Sequence, residues 1–450
     1  MSANRLHWGQ SLRGRLGRAG DIFSGAADLA AEHLPFFREE LAAGRLPFIS
    51  LPYRESLEKE LPEVMARFGG GFRHMLLLGI GGSALGARAL QKAFRPRQDW
   101  PGYDGPWLWI ADNVDAPALS CWLDRLPPEE TLVVAVSKSG GTIETMAQYF
   151  IVRDWLRQKL GRAWSGHVLV VTDSRQGALR READENALPS LPVPDYLGGR
   201  FSVLSAVGMV PAFFCGLDWK AVLAGAASVL EPVASKPESL GAHPAWRLAV
   251  WAEALLNNGY SQLIFFTYIP SWACFGAWFA QLWGESLGKS GKGSMPLPAT
   301  GVTDQHSLLQ MFLDGPKDKA CLFLQERNPE RGPRFSGQIP DQWSYLRGRH
   351  FGDLLAAESV GTLGAFSASD IPLLKLDMAA PDERNAGRLI ALLELATLFT
   401  GRLLGINPLD QPAVEYGKRL ANARLGAAGY AREEEDLRAY FAAPDEYMEF

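Results

Sequence analysis

The sequence predicts an α/β protein made of two consecutive α/β/α sandwich domains with mainly parallel sheets. Apolar runs of strand length alternate with longer runs of helical pattern, which is typical of parallel sheets covered by helices on both faces. The alternation occurs in two series, separated by the polar stretch SKPESLGAHPAW at residues 235–246. A chain of 450 residues is also longer than one hydrophobic core normally serves.

The first series follows a segment, residues 1–65, that we expect to be helical, and it fills a first domain at residues 66–235. Its strands are short and almost wholly apolar, as expected for strands buried on both faces. The predicted elements are strands at 75–78, 107–113, 131–136 and 167–173, a helix beginning near 85 and a long helix over 142–160.

The second series fills a second domain at residues 236–405, and a C-terminal helical arm follows at residues 406–450. The arm helix is predicted directly after NPLDQP, because Pro412 suits the first turn of a helix. The other predicted elements are strands at 261–269, 321–327 and 371–378 and helices at 271–287 and 385–404.

Composition and charge are those of an ordinary globular protein, with 47% hydrophobic and 21% charged residues. The net charge of −5 provides no basic field, so we expect neither a nucleic-acid nor a membrane partner. Four widely spaced cysteines predict buried free thiols in a reducing compartment, and the cytoplasm is the expected location. The arginine-rich N-terminus is expected to be an amphipathic helix, with a transit peptide as the alternative.

The glycine-rich stretch GIGGSALG, residues 79–86, follows the first predicted strand and opens a helix. Gly79, Gly81 and Ala84 approximate a dinucleotide-binding fingerprint, which needs an acidic residue about 20 positions further on, at the end of the next strand. Asp99 lies outside any apolar strand, which disfavours a nicotinamide dehydrogenase. The simpler alternative is a turn whose glycines let strand and helix pack closely.

A second stretch, SKSGGTIET at residues 137–145, lies where an apolar strand meets a helix and predicts a phosphate-binding loop. The N–H groups and partial positive charge of a helix N-terminus bind phosphate without many formal charges, and Gly140 and Gly141 permit close backbone approach. The hydroxyl donors are Ser137, Ser139, Thr142 and Thr145. Lys138 precedes the glycines and the Walker pattern is absent, which favours a phosphate monoester. The alternative is a capping loop, which needs one hydroxyl instead of four.

Four further stretches each contain a candidate catalytic side chain. They are GGRFSVLSAVG with Arg200, QLWGESLGKSGKG with Glu285, TGVTDQHSLLQMFLDGP with His306 and DQPAVEYGKRLA with Lys418. Each has a structural alternative. Gln281, Glu285 and Lys289 have the i, i+4, i+8 spacing of an exposed salt-bridged helix face. Arg200 could cap backbone carbonyls, His306 could begin a helix, and Lys418 could be solvated.

Together with the two glycine-rich stretches, these four make the chain resemble the glucose-6-phosphate isomerase (phosphoglucose isomerase) family in its shorter bacterial type. Six motifs occur in the family's order over nearly the whole chain, from GIGGSALG to DQPAVEYGK. The resemblance implies two sugar-isomerase-type domains with a C-terminal helical arm. It also implies reversible isomerisation of glucose 6-phosphate and fructose 6-phosphate, in glycolysis and gluconeogenesis. The pair Gly140-Gly141 is a mild departure, because some members carry bulkier residues there.

The resemblance also implies roles for the site residues. Glu285 would move a proton between C2 and C1 through a cis-enediol, and Arg200 would stabilise the negative charge of the enediolate. His306 would open the sugar ring, with Lys418 near the ring oxygen and the C1 hydroxyl. The remaining expected substrate contacts are Gly82, Ser83, Ser137, Lys138, Ser139, Thr142, Thr145, Gln281 and Gln411.

No cofactor and no metal are expected, because the seven histidines are scattered and none lies in an H-x-x-x-H pattern. The resemblance implies a homodimer in which His306 reaches the partner's active site. The aromatic residues of the 271–287 helix and of the arm would suit a large interface, or they could fill the monomer core. They are Trp272, Phe275, Trp278, Phe279, Trp283, Tyr430, Tyr440 and Phe441. Alternative functions are a sugar-phosphate-sensing regulatory protein on the same fold and an isomerase that also acts on mannose 6-phosphate.

Overall fold

The computed structural model describes residues 3–8, 22–53, 55–94, 97–443, 445 and 447–448. In these ranges, ten strands form two five-stranded sheets, so the predicted α/β class is confirmed. The strands are β1 (Arg5–His7), β2 (His74–Leu78), β3 (Trp107–Ala111), β4 (Thr131–Ser137), β5 (Val168–Thr172), β6 (Ser190–Pro192), β7 (Gln262–Tyr268), β8 (Met295–Thr300), β9 (Lys319–Glu326) and β10 (Leu373–Met378).

The first sheet has the order β3-β2-β4-β5-β6, and all of its strands are parallel. All seven residues of β4 are buried, which explains the unbroken apolar run in the sequence. The chain passes from β2 outward to β3 and then returns past β2 to β4. A topological switch point therefore lies between β2 and β4, and ligands of such sheets bind outside the carboxyl ends of the strands at this point.

The second sheet has the order β1-β10-β9-β7-β8, with β1 antiparallel to β10 and the other strands parallel. The N-terminal segment is therefore not wholly helical, because Arg5–His7 pairs with residues 375–377. The remainder of the expected N-terminal helix lies outside the described residues. Strand β8 was not predicted, and its prolines at 296 and 298 are tolerated because β8 is an edge strand.

Helices pack on the two sheets and on one another. They are α1 (Ala26–Ala42), α2 (Pro47–Ser50), α3 (Glu55–Ala66), α4 (Leu85–Ala93), α5 (Ala116–Arg125), α6 (Ile143–Leu160), α7 (Ala178–Glu185), α8 (Ala206–Phe214), α9 (Trp219–Ser235), α10 (Pro244–Asn257), α11 (Ala273–Leu287), α12 (Leu309–Asp314), α13 (Phe351–Ala368), α14 (Glu383–Leu403), α15 (Ala413–Arg424) and α16 (Ala431–Ala442). The predicted helices at 142–160, 271–287 and 385–404 correspond to α6, α11 and α14.

The division into segments at 65, 235 and 405 stays a prediction. Helix α9 ends at Ser235, next to the proposed second boundary. This helix packs extensively against α14, which belongs to the proposed second domain. The proposed first and second domains therefore share a helical layer.

The aromatic side chains of the 271–287 helix belong to the monomer core. Trp272, Phe275, Trp278, Phe279 and Trp283 are each at most 2% exposed. Core filling is therefore the correct alternative for this helix, and an interface role is wrong for it. In the arm, by contrast, Tyr440 and Phe441 are exposed, and Tyr430 is half-buried.

All four cysteines are free, as predicted, although only Cys321 is fully buried and Cys121 is exposed. Burial raises the pKa of the Cys215 thiol to about 12 and that of the Cys321 thiol well above its usual value. Both thiols are therefore protonated near neutral pH. Of the helices in the described ranges, none has the length and apolar character needed to cross a membrane.

Candidate active site

The two glycine-rich stretches lie side by side at one edge of the first sheet. Residues 79–83 follow β2 and residues 138–142 follow β4, and these neighbouring parallel strands place Leu78 opposite Ala135. Both segments therefore leave the sheet at its carboxyl edge, on the two sides of the switch point. This is the position at which doubly wound sheets bind their ligands.

The loop after β4 leaves the N-terminus of α6 without a side-chain cap. Thr142 is the N-cap residue of α6, but its side chain forms no capping hydrogen bond. The Thr142 Oγ1 atom instead lies 3.0 Å from Ser137 Oγ. The N–H groups of the first helical turn thus remain available to an anion, and Gly140 adopts the positive φ of 62° that the turn requires. This geometry disfavours the capping alternative.

Two further side chains of the loop fit a ligand site. Thr145 Oγ1 is buried and has no hydrogen-bond partner among the residues that the structure describes, which is rare in native proteins. Lys138 is half-buried, and burial lowers the pKa of its ammonium group, whereas Asp173 and Asp195 raise it. The loop therefore offers an unused hydroxyl and a nearby cation. In the same loop, Ser139 Oγ accepts a hydrogen bond from the Gly141 N–H at 3.2 Å.

The turn after β2 packs against two segments that carry other predicted site residues. A Cβ atom on Gly82 would lie 2.2 Å from the carbonyl carbon of Gly199 and 2.7 Å from the backbone nitrogen of Arg200. A Cβ atom on Gly81, whose φ is +57°, would lie 2.9 Å from Nε2 of Gln281. The glycines thus serve close packing, as the simpler alternative holds. That packing also brings the turn, with Ser83 in it, next to Arg200 and Gln281.

We expect Gly82→Ala to destabilise the protein by about 1–3 kcal/mol and to lower its activity, because the added methyl group overlaps backbone atoms that cannot move aside cheaply. Thermal unfolding and kcat/KM measure the two effects. Gly70→Ala is the matched control, since Gly70 has no neighbouring atom within 4 Å of the added Cβ and no positive φ. Equal unfolding midpoints for the two variants would contradict the packing described for Gly82.

Arg200 lies at the centre of the site and is only 2% exposed. Each of its guanidinium nitrogens donates at least one hydrogen bond. Nε donates to Ser286 Oγ at 2.6 Å, Nη1 to Glu285 Oε1 and Gln411 Oε1 at 3.1 Å each, and Nη2 to the carbonyl oxygens of Pro408 at 2.6 Å and Asp410 at 2.9 Å. The fixed guanidinium thus joins α11 to the segment that leads into the arm.

Glu285 is held through both carboxylate oxygens but remains accessible. Its Oε1 atom accepts from Arg200, its Oε2 atom accepts from Gln281 Nε2 at 3.0 Å, and its side chain is 22% exposed. Burial lowers the pKa of Arg200, while Glu285 and Asp410 raise it, and an arginine stays charged under these conditions. A carboxylate oriented in this way beside a fixed cation can accept a proton while the cation stabilises the resulting anion.

The alternative of an exposed salt-bridged helix face is not what the structure contains. The i, i+4 hydrogen bond from Gln281 to Glu285 forms, but both residues also contact site groups. Helix α11 ends at Leu287, so Lys289 lies beyond it and binds the segment 407–410. Neither Lys289 nor Ser286 is among the predicted site residues. Their only sequence signal is proximity to Glu285.

Among the described residues, neither His306 nor Lys418 forms a hydrogen bond to this cluster. His306 follows the turn Thr303–Gln305 and is exposed, and its ring has no hydrogen-bond partner in the described part of the chain. Lys418 lies on the exposed helix α15 and donates to Glu415 Oε1 at 2.8 Å. The structure therefore assembles the predicted proton-transfer pair but leaves the two predicted ring-opening residues at the surface.

Comparisons with known proteins show the family of the chain. The family model for phosphoglucose isomerase matches residues 63–324, which include the glycine turn, the phosphate loop, Arg200 and Glu285. The glucose-6-phosphate isomerase of Rubrobacter xylanophilus is 40% identical over 391 residues, which are 85% of this chain and 90% of that protein. A probable glucose-6-phosphate isomerase of Methanococcus maripaludis is 33% identical, over 92% of this chain and 91% of that protein.

Two solved structures extend the similarity to the fold. A hypothetical protein from Thermus thermophilus superposes with a TM-score of 0.80 and 31% identity, covering 95% of this chain and all of the other. A glucose-6-phosphate isomerase from Chlamydia trachomatis superposes with a TM-score of 0.69 and 25% identity, covering 87% and 77% of the two chains. Sequence, fold and family model agree over most of the chain, and the chain belongs to the phosphoglucose isomerase family.

Proposed function

We propose that this protein interconverts glucose 6-phosphate and fructose 6-phosphate, the reaction in the names of its relatives. The observation that carries the proposal is the Glu285–Arg200 pair, fixed by Gln281 and Gln411 next to the turn that neighbours the phosphate loop. A regulatory sugar-phosphate sensor would need the phosphate loop but has no evident use for a carboxylate oriented by a buried cation.

The 6-phosphate would bind at the start of α6, where Ser137, Lys138, Ser139, Thr142 and Thr145 surround the free backbone N–H groups. The neighbouring turn adds Gly82 and Ser83. Binding at this remote end would convert phosphate affinity into orientation of the reacting carbons, so that C1 and C2 lie beside Glu285. Gln281 and Gln411 would contact the sugar hydroxyls.

Glu285 would then take the proton from C2 of the open-chain aldose. The electron pair of the broken C–H bond forms the C1–C2 double bond, and the aldehyde oxygen becomes the enediolate oxygen, whose charge Arg200 stabilises. A proton passes from O2 to O1, and Glu285 returns its proton to C1, which leaves a carbonyl at C2. One carboxylate serves both transfers because C1 and C2 are adjacent.

Ring opening would precede this step. His306 would protonate the ring oxygen, and Lys418 would lie near the ring oxygen and the C1 hydroxyl. Because His306 is exposed and its ring forms no hydrogen bond to the Glu285 cluster among the described residues, we place it in the active site of a second copy. The exposed aromatic residues of the arm, Tyr416, Tyr440 and Phe441, support such a homodimer. We further propose a cytoplasmic location and a reaction that needs no cofactor and no metal.

The test is a coupled assay of the purified protein with fructose 6-phosphate in the presence of a chelator. Formation of glucose 6-phosphate at a kcat above about 1 per second is expected for an enzyme acting on its own substrate. Mannose 6-phosphate in the same assay measures tolerance of the C2 epimer, and titration with a nicotinamide cofactor tests the dehydrogenase alternative. Absence of isomerisation with the chelator and with added divalent metal would overturn the proposal.

Replacing both Ser139 and Thr142 with alanine is expected to raise KM for fructose 6-phosphate by at least about 100-fold, since two hydrogen bonds to a charged group are lost and each is worth about 1.5–3 kcal/mol. Inorganic phosphate should compete with substrate in the wild type and much less in the variant. Ser235→Ala is the control, because Ser235 is exposed and, among the described residues, its hydroxyl donates to the carbonyl oxygen of Glu231 in its own helix. An apparent KM that does not respond to tens of millimolar phosphate would count against the loop as the phosphate site.

A further inference from the structure

A second cation, Lys289, holds the same segment as Arg200 and has no part in the reaction described above. Its Nζ atom donates to the carbonyl oxygen of Asn407, donates to that of Asp410 at 2.6 Å and lies 2.9 Å from Asp410 Oδ1. The Lys289 side chain is only 11% exposed. The hydrogen bond from Lys289 also lowers the pKa of Asp410, whereas burial lowers the pKa of Lys289 and its bond to Asp410 raises it.

Lys289 and Arg200 meet at one backbone oxygen. The carbonyl oxygen of Asp410 accepts from both cations, which its two lone pairs allow. The segment also stabilises itself, because Asn407 Nδ2 donates to Asp410 Oδ2 at 2.9 Å and the Leu409 N–H donates to Asn407 Oδ1 at 3.1 Å. Residues 407–410 thus form a compact turn fixed from two sides by cations.

The next residue along the chain is Gln411, whose Oε1 atom accepts from Nη1 of Arg200. The same Nη1 atom donates to Glu285. A shift of the 407–410 turn would therefore displace Gln411. It would also move the carbonyl oxygens of Pro408 and Asp410, which accept hydrogen bonds from the Arg200 guanidinium. Both effects fall on the sugar end of the site, whereas the phosphate loop has no contact with Lys289 among the described hydrogen bonds.

We propose that Lys289 is a positioning residue of the isomerase, which fixes Gln411 and Arg200 against the reacting carbons by holding the turn 407–410. The inference rests on the proposed function. It assigns Lys289 to the chemical step at C1 and C2 and to binding of the sugar, and not to binding of the phosphate.

The chain offers a matched control three residues away. Lys292 is also a lysine of the loop after α11, and its Nζ atom donates to the carbonyl oxygen of Leu404 at 2.6 Å. It therefore holds the end of α14 by the same kind of bond but does not touch the 407–410 turn. Replacing either lysine with methionine would disturb the loop after α11 in general. Only Lys289→Met would also release the 407–410 turn and so misplace Gln411 and Arg200.

The experiment compares Lys289→Met and Lys292→Met with the wild type in kcat, KM and the inhibition constant of inorganic phosphate. For Lys289→Met we expect kcat/KM for fructose 6-phosphate to fall about 10–100-fold, as for loss of hydrogen bonds to a charged group. The inhibition constant of phosphate should change less than about twofold, and Lys292→Met should retain kcat/KM within about threefold. In a Gln411→Ala background the effect of Lys289→Met should be at least about threefold smaller, because the two residues act through one contact chain.

The outcomes separate the two proposals. A wild type without isomerase activity would overturn the proposed function, and this inference with it. An active wild type whose Lys289→Met variant matches Lys292→Met in kcat/KM would overturn the inference alone. If Lys289→Met weakens the binding of inorganic phosphate as much as the binding of fructose 6-phosphate, the inference alone would also be overturned. If Lys289→Met does not fold, Asp410→Asn replaces it. We then expect the inhibition constant of phosphate to stay unchanged and kcat/KM to fall about threefold. An unaltered kcat/KM in Asp410→Asn would overturn the inference.

Discussion

Glu285→Gln is expected to lower kcat by a factor of roughly 10²–10⁴ or more, because the amide has the shape of the carboxylate but cannot accept a proton from carbon. At about 1.4 kcal/mol per factor of ten, this corresponds to about 3–6 kcal/mol of activation free energy. Substrate binding should change little, since the phosphate loop is untouched. No other single substitution in this site is expected to have a larger effect.

The surroundings of Glu285 explain why the variant should fold. Arg200 and Gln281 both present N–H donors to the carboxylate, so the new amide must turn its oxygen to one and its NH₂ group to the other. The Gln281 Oε1 atom is buried and has no partner among the described residues. Rotation of the Gln281 amide by 180° would therefore offer an acceptor to the new NH₂ group while Arg200 keeps an oxygen.

Turnover of fructose 6-phosphate and exchange of the C2 hydrogen of glucose 6-phosphate with solvent measure the loss. Stabilisation of the protein by the substrate against heat measures binding. Glu58→Gln is the control, because Glu58 is an exposed glutamate on α3, distant from Glu285 in the sequence. Near-normal turnover in Glu285→Gln would exclude Glu285 as the base. A large loss of substrate binding would assign Glu285 a binding role instead.

The strands that could be predicted are those whose signal is local. The run at 131–136 is apolar throughout because the strand is buried on both faces, and the glycines after it indicate a turn. The position of the strand and of the loop that follows it can therefore be predicted from the residues themselves. Strand β8 could not be predicted, because its prolines argue against a strand unless the strand lies at a sheet edge. Edge position depends on the order β7-β9-β10 assembled from distant segments. The pairing of β1 with β10 joins residues near opposite ends of the chain.

The same division applies to the site. Glu285 and Arg200 lie in motifs that the family resemblance identifies, and the structure brings them within 3.1 Å of each other. Ser286 and Lys289 act through hydrogen bonds to residues about 80 to 120 positions away in the chain, for which the sequence has no local mark. The predicted helix already ends at residue 287, so the spacing of Lys289 could not place it on a face of α11; what the sequence does not reveal is that Lys289 binds the distant segment 407–410.

The second large effect is expected from subunits that are each inactive. If His306 serves the partner's site, Glu285→Gln and His306→Ala subunits should complement each other in mixed dimers. One composite site of a heterodimer lacks both groups, and the other keeps both. Random mixing of equal amounts makes about half of the dimers heterodimers, so about one quarter of all sites should be active, by the symmetry of a twofold assembly. Each parent alone should retain at most about 1% of wild-type activity, since loss of a general acid or base costs about 10²–10⁴-fold.

A reciprocal mixture tests the same prediction in the opposite direction. Shared sites predict a loss of isomerase activity in this mixture, whereas they predict a gain of activity in the first. Wild-type subunits mixed with equal amounts of the double variant Glu285→Gln/His306→Ala form heterodimers in which neither composite site is complete. With shared sites, only the roughly one quarter of dimers that are pure wild type stay active, whereas sites confined to one subunit would leave about half of all sites active.

Subunits are exchanged by co-expression with two affinity tags, which also isolates the heterodimers. Isolated heterodimers should thus be half-active in the first mixture and inactive in the second. The opposite pattern would mean that His306 acts within its own chain, and failure to isolate any heterodimer would contradict the proposed homodimer itself.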